Sequence, residues 1–359
     1  MILCLLALLS TATAIAATLP RLALIPLANY SESMQGAKAI EASLRDRLTA
    51  AGFDLVAADT LRGLMRSHRL RLIGECDSSS AALIAAATGA EVILTGAIEL
   101  YLEQENPEVA VNLRAYDCRD GGIVWLNRCA LSGEGEAGAF GIGRISFVET
   151  LTSKVLDRLL KDAAKLIAQR SDAIEEPAKK DRALAARGRV AVVEIDNACD
   201  FAGAGAAATG ALIYELHRRG YRLLEPGELT RLQQKLGINV QGGAVAPLPD
   251  VLAAELGVGT IVTGIVTEFL PSRGGDSEIG PHVELTLRMI DARTGELTAA
   301  TSVVRDGADT ETLFGIGRTY AIGELTLAAV HHACNKLIEE EHRDLGPSRT
   351  GTTSIEKGN

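Results

Sequence analysis

The chain has 359 residues, 47% of them hydrophobic but only 4% aromatic, and a net charge of -10. That length allows two domains, each able to bury a core, and the shortage of aromatics means that the cores are built from Leu, Val, Ile and Ala. The charge excludes nucleic acid as a partner, because binding a phosphate backbone needs a basic stripe.

Ile2 to Leu9 is a short apolar run followed by small residues, and Ala14-Ile15-Ala16 fits a leader-peptidase site. Residues 1–17 are therefore expected to be an export signal, placing the mature chain in the periplasm or on the periplasmic face of the outer membrane. A spanning helix is not expected, since about 18 apolar residues are required and Ser10, Thr11 and Thr13 interrupt the run. Cys4 lies inside that run with no room ahead of it for a lipidation signal. The other cysteines, Cys76, Cys118, Cys129, Cys199 and Cys334, are odd in number and lack C-x-x-C spacing, so at most two disulfides form and their pairing stays open.

Leu22 to Leu27 reads as the first strand, with Asn29 just past it. Ile40, Leu44 and Leu48 have helical spacing and the helix closes at Gly52. Phe53 to Val56 reads as a second strand, Leu61 and Leu64 mark a short helix, and Ala81 to Thr88 is an Ala-rich helix ending at Gly89. The apolar Val92 to Leu94 predicts a central strand, followed by Thr95-Gly96. Val109, Val111, Leu113 and Ala115 alternate, which predicts a strand with one buried face and one wet face. Asp117 and Gly121 frame a tight turn, the chain returns through Ile123 to Leu126 as a hairpin, and Leu151, Val155, Leu159, Ala163 and Leu166 predict a closing amphipathic helix.

The pentapeptide Phe140-Gly-Ile-Gly-Arg144 recurs letter for letter as Phe314 to Arg318, an offset of 174 that also carries Asp117 onto Asp291 and Gly121 onto Gly295. Upstream the offset is 168, carrying Asn29 onto Asn197 and Gly96 onto Gly264. One loop insertion between Phe269 and His282 accounts for the difference. A repeat of this length is a whole domain. The expected organisation is a first copy over 18–170, a charged linker over 171–187, a second copy over 188–341 and a disordered tail over 342–359. The expected fold class is α/β (α+β): two tandem copies of a two-layer or three-layer domain with a mixed sheet, in the order β-α-β-α-α-β-β-β-α.

No catalytic residue, cofactor or metal site is expected, and the chain does not read as an enzyme. Gly133-Glu-Gly-Glu-Ala-Gly138 satisfies G-x-G-x-x-G, but it follows a hairpin strand, and the second copy, Asp306-Gly-Ala-Asp-Thr-Glu311, lacks that glycine pattern at the matching place. His331 and His332 are adjacent on a helix and point about 100° apart, so they do not share a face. The candidate interface residues are Phe140, Arg144, Phe314 and Arg318, with Asn29 and Asn197 at the carboxyl ends of the opening strands. Each also has a plain structural explanation: a core anchor, an arginine paired with a carboxylate, a turn-forming Asn. Asp117, Gly121, Asp291, Gly295, Gly96 and Gly264 read as structural turn positions.

The opening strand Arg189 to Val193, the Thr-Gly after the central strand and the hairpin Leu287-Arg-Met-Ile-Asp-Ala-Arg-Thr-Gly295 together resemble the periplasmic domain of the CsgG-like family of curli secretion components. The amino-terminal domain of TolB and the LpoB activators are similar in pattern. The resemblance covers each copy nearly end to end and implies a secreted, non-enzymatic envelope protein. Such a protein works by contacts with an envelope partner or by homo-oligomerisation, in assembly, secretion or its regulation. It does not extend to a pore, because no long pair of alternating strands is left over to enter a membrane. The alternative is a soluble periplasmic ligand-binding or sensory module.

Overall fold

The computed structural model describes residues 19–137, 142–169, 188–237, 248–272, 280–312 and 317–344. The expected signal segment and charged linker lie outside them, as does the tail beyond 344.

The first half runs β1 (Leu22–Leu24), β2 (Ala28–Asn29), α1 (Met34–Ala50), α2 (Ala58–Ser67), α3 (Ser78–Thr88), β3 (Val92–Leu102), β4 (Glu108–Asp117), β5 (Ile123–Ser132), α4 (Val148–Leu159) and α5 (Ala163–Gln169). The second runs β6 (Arg189–Val192), β7 (Asp196–Asn197), α6 (Ala204–Arg218), α7 (Pro226–Leu236), α8 (Leu248–Leu256), β8 (Val258–Leu270), β9 (His282–Asp291), β10 (Leu297–Asp306) and α9 (Ile322–Asp344). The fold is α+β, with two mixed sheets in tandem.

The sheets have the same connectivity. In the first the order is β1-β3-β4-β5, with β1 and β2 both parallel to β3 and the rest antiparallel. In the second, β6 and β7 lie parallel to β8, followed by β9 and β10. Each long central strand carries a bulge at the same place, at Glu99 in β3 and at Thr267 in β8. Gly96 and Gly264, expected at turns, lie instead inside β3 and β8, just ahead of the bulges. A Cβ there would stand 2.0 Å from the Asn112 carbonyl oxygen and 2.3 Å from that of Thr286, so the crossing strands need glycine.

Local signals account for the helix ends. Ser33 Oγ accepts the Gly36 amide at the start of α1, and Asp77 accepts the amides of Ser79 and Ser80 at the start of α3. The spaced Ile40, Leu44 and Leu48 turn inward with Leu151, Val155 and Leu159 of α4 against the first sheet.

Four further expectations change. Phe53–Val56 is not a strand but a single bridge, Leu55 to Leu22, and the second half has a like bridge, Leu223 to Val190. The closing helix of the first half breaks at Asp162, whose φ is +64°; the break turns Ile167 inward and leaves Leu166 40% exposed. The last helix continues to Asp344, past the expected start of the tail. In the first sheet the wet face of β4 is dry: Glu108, Ala110, Asn112, Arg114 and Tyr116 are all buried.

The last change has a simple cause. One apolar cluster joins Leu100, Ala110, Leu126 and Ala130 of the first sheet to Ala207, Ala211 and Leu212 of α6, Ile322 and Val330 of α9, and Leu285 and Leu287 of the second sheet. Helices α6 and α9 therefore lie between the two sheets. The layers run α1 with α4 and α5, first sheet, α6 with α9, second sheet. Helices α7 and α8 cover only the end of the second sheet's outer face, around Ile261 and Ile290. No helix among the described residues is long and apolar enough to cross a membrane.

Candidate functional site

The seam where α6 and α9 meet the first sheet holds a closed set of buried polar groups. Glu99, displaced by the bulge, is fully buried. Its carboxylate accepts hydrogen bonds from Arg128 Nε (2.9 Å) and Asn112 Nδ2 (2.7 Å), with Arg128 Nη2 also 2.7 Å away. Arg128 Nη1 donates across the seam to the carbonyl of Gly323, 3.0 Å away. Glu108 reaches the start of α9, where its two oxygens accept the amides of Ile322 (3.0 Å) and Gly323 (2.8 Å). A carboxylate is the group that a helix N-terminus favours. Burial nevertheless pushes the Glu108 carboxyl up to about 8, against the pull of those two amides.

Arg114 closes the set. It donates to the Gly74 carbonyl (2.8 Å) and Asn112 Oδ1 (3.2 Å), and its Nε lies 3.3 Å from Glu225 Oε2, just ahead of α7. Burial raises the Glu225 carboxyl and the Arg114 guanidinium opposes the rise. Two ion pairs at these depths stabilise little against well-packed apolar groups, but either charge left alone would be very costly; Arg114–Glu225 joins the two halves directly, and Glu99–Arg128, within the first sheet, holds the guanidinium that reaches Gly323. Glycine makes the approach close enough: a Cβ on Gly210 of α6 would sit 1.9 Å from Glu99 Oε1.

The second sheet presents the same positions to solvent. Thr267 takes the place of Glu99, Thr286 that of Asn112, Ser302 that of Arg128 and His282 that of Glu108. Thr286 and Ser302 share a cross-strand hydrogen bond of 2.8 Å, and His282 sits between Asp306 (2.7 Å) and Glu268 (3.1 Å). Arg288, Ala300 and Ser302 are exposed beside Val304, which is 48% exposed. This is an open β surface of mixed polarity.

The residues singled out from the sequence are spread over both halves. Phe140 and Phe314 lie outside the described residues. Arg144 donates to the Glu105 carbonyl (3.1 Å) and lies 3.5 Å from Glu134, within its own half. Arg318 lies 3.6 Å from Glu311 and over the Tyr320 ring. Asn29 accepts from the Ser31 amide and Asn197 from the Cys199 amide, so each shapes the loop that leads into α1 or α6. Asp117 accepts the Arg119 amide, and Asp291 those of Arg293 and Thr294. Gly121 and Gly295, both near φ +70°, complete the turns.

Glu99, Glu108, Asn112, Arg114 and Arg128 were missed by the sequence reading. A signal for them exists: charges at Glu99 and Arg128 correspond to small neutral side chains at Thr267 and Ser302. The five cysteines described are thiols, and none is paired in a disulfide among the described residues. Burial pushes the Cys76 thiol far up and that of Cys129 up to about 11, so neither is a ready nucleophile. No cluster of His, Cys, Asp or Glu among the described residues could hold a metal ion. His331 instead bonds Glu215 of α6 at 2.8 Å.

No family model matches the chain, and no curated protein matches it in sequence. Solved structures similar to it include the lipoprotein GNA1162 from Neisseria meningitidis, 19% identical over 42% of this chain and 99% of its own length, with a TM-score of 0.30. The PelC dodecamer from Paraburkholderia phytofirmans is 18% identical over 40% of this chain and 87% of its own, with a TM-score of 0.28. The LpoB C-terminal domain from Escherichia coli is 22% identical over 32% of this chain and 84% of its own, with a TM-score of 0.27.

Proposed function

We propose that the protein is a non-enzymatic, exported component of the cell envelope that works by protein contacts, with the open face of its second sheet as the docking surface. The observation that carries this reading is the opposite fate of two equivalent sheet faces. In the first half the face is covered by α6 and α9; in the second its counterpart carries Thr286, Arg288, Ala300, Ser302 and Val304 uncovered. A β face of that kind, with an apolar side chain among short polar ones, suits a protein surface better than a deep small-molecule site. The apolar leader with its Ala14-Ile15-Ala16 site and the CsgG-like pattern support an exported envelope role.

Duplication of a CsgG-like domain, the boundaries 18–170 and 188–341, and interface roles for Arg144, Arg318, Phe140, Phe314, Asn29 and Asn197 belong to the same proposal. Self-association is the competing use of the face. A photoreactive residue at Ser302, in the cells that make the protein, is expected to give a cross-linked adduct of one discrete mass, with none from the exposed Glu340 of α9. Failure to form an adduct from Thr286, Ser302 and Val304 alike would overturn the reading, and an adduct at twice the chain mass would assign the face to a second copy.

A further inference from the structure

The seam is concave along one edge. The loop from Tyr30 to Ser33, the Glu99–Leu102 end of β3 with Glu103 and Gln104 just past it, and the loop from Asp200 to Gly203 enclose a groove of about 530 Å³. Its walls are aromatic and acidic. Tyr30 is 42% exposed, and Phe201 is held in place by the Phe269 ring, 4.9 Å away between centroids. Glu32, Glu103 and Asp200 stand exposed around these rings, and no Lys, Arg or His is among the described residues that line the groove. The charge of the remaining acid, Glu99, is already taken by Arg128.

The balance of charge is negative even after the backbone is counted. Helices α1 and α6 both start at the groove, and each N-terminus carries about half a positive charge, so three free carboxylates outweigh them by about two charges. On the other side of Tyr30 lies a second recess of about 310 Å³, lined in part by Glu75 and Glu194. Burial pushes both carboxyls up, and at Glu75 a hydrogen bond with Thr230 and the charge of Arg114 oppose the rise. The one arginine there, Arg114, is held by Glu225.

We propose that this groove docks a basic segment of a protein partner, with a lysine or arginine stem laid against Tyr30 and Phe201 and its cation among Glu32, Glu103 and Asp200. Aromatic faces attract such cations and the apolar stem suits the groove floor at Leu100 and Leu102. A polypeptide fits better than a free amine because the acidic lining continues past Tyr30. Alternate side chains of an extended chain, about 7 Å apart on one side, can use both recesses. The inference does not depend on the open face of the second sheet.

The test is fluorescence anisotropy with the full mature chain and a labelled seven-residue peptide of alternating lysine and alanine. Wild type is expected to bind it, and Glu103→Gln with Asp200→Asn to weaken binding at least tenfold at unchanged thermal stability. The control pair Glu339→Gln with Glu340→Gln on α9 is expected to leave binding unaltered, which separates the groove from the general acidity of the chain. The same peptide with acetylated lysines is expected not to bind. Equal binding by wild type and the groove variant, equal binding of the acetylated peptide, or no binding by wild type would each overturn the proposal. Competition by cadaverine at the peptide's own affinity would also overturn it, assigning the groove to a small amine.

Discussion

Gly210 shows how the seam is decided at the level of single atoms. By helix propensity alone, Gly→Ala inside α6 should stabilise by about 1 kcal/mol. At this position the new methyl would meet Glu99 Oε1, itself locked to Arg128, and overpacking of that kind costs about 1–3 kcal/mol. The expected net effect of Gly210→Ala is a loss of stability, read as a lower urea midpoint. Gly63→Ala in α2, where a Cβ meets nothing within 4 Å, is expected to raise stability by about 0.5–1 kcal/mol, read as a higher urea midpoint. The buried pair supplies a second contrast. Arg128→Met strands Glu99 in the core and is expected to cost about 3–5 kcal/mol, whereas adding Glu99→Leu should restore most of that.

Glu108 gives the seam a pH dependence. Its carboxyl is pushed up to about 8 in the fold, and in the unfolded chain it returns to the ordinary carboxylate range. The stabilisation tied to this group is therefore full below about pH 4 and is lost as pH rises towards 8. Asp77 and Glu215 act in the opposite sense. Burial raises each, but the hydrogen bonds from Ser79 and Ser80, and the Arg219 contacts, together hold them below the usual range, so their contribution fades as the solution becomes more acid. Urea midpoints from pH 5 to 8 should fall in wild type and fall less in Glu108→Gln. Equal slopes would show that Glu108 does not govern the seam.

At the scale of elements, the helices were readable where their own sequence caps them. Asp77 before α3 accepts two backbone amides and binds the Ser79 and Ser80 hydroxyls, and Asp77→Ala is expected to cost about 1–2 kcal/mol in a melting experiment. The alternation of Val109, Val111, Leu113 and Ala115 located the inner face of β4 correctly. It could not distinguish a polar face in water from one matched to a partner, because Glu108, Asn112 and Arg114 are polar in either setting. Phe53–Val56 has strand composition but finds one bridge partner only, and no local property of those residues announces that. The break between α4 and α5 was hidden for a similar reason: Asp162 adopts a left-handed backbone within a run that keeps its apolar spacing.

At the scale of the molecule, two halves of like connectivity are stacked head to tail rather than face to face. Stacking of this kind uses one sheet face and leaves its counterpart free, which is how one chain can hold itself together and still keep a β surface open. The shared core also makes the halves interdependent, since Leu100, Ala110, Leu126 and Ala130 are buried only while α6 and α9 lie on them. The clearest hint of this in the sequence was the difference between the two halves at matching positions, Glu99 against Thr267 and Arg128 against Ser302.

Urea unfolding followed by two signals tests that interdependence most directly. Trp125, the chain's single tryptophan, is buried in β5 and reports on the first half alone, whereas far-ultraviolet circular dichroism reports on the helices and strands of both. A fused pair should give coincident transitions in the two signals, shifted together by Gly210→Ala or Arg128→Met. Separated transitions, with Trp125 unaffected by Gly210→Ala in α6, would show that the halves fold independently and would contradict the account.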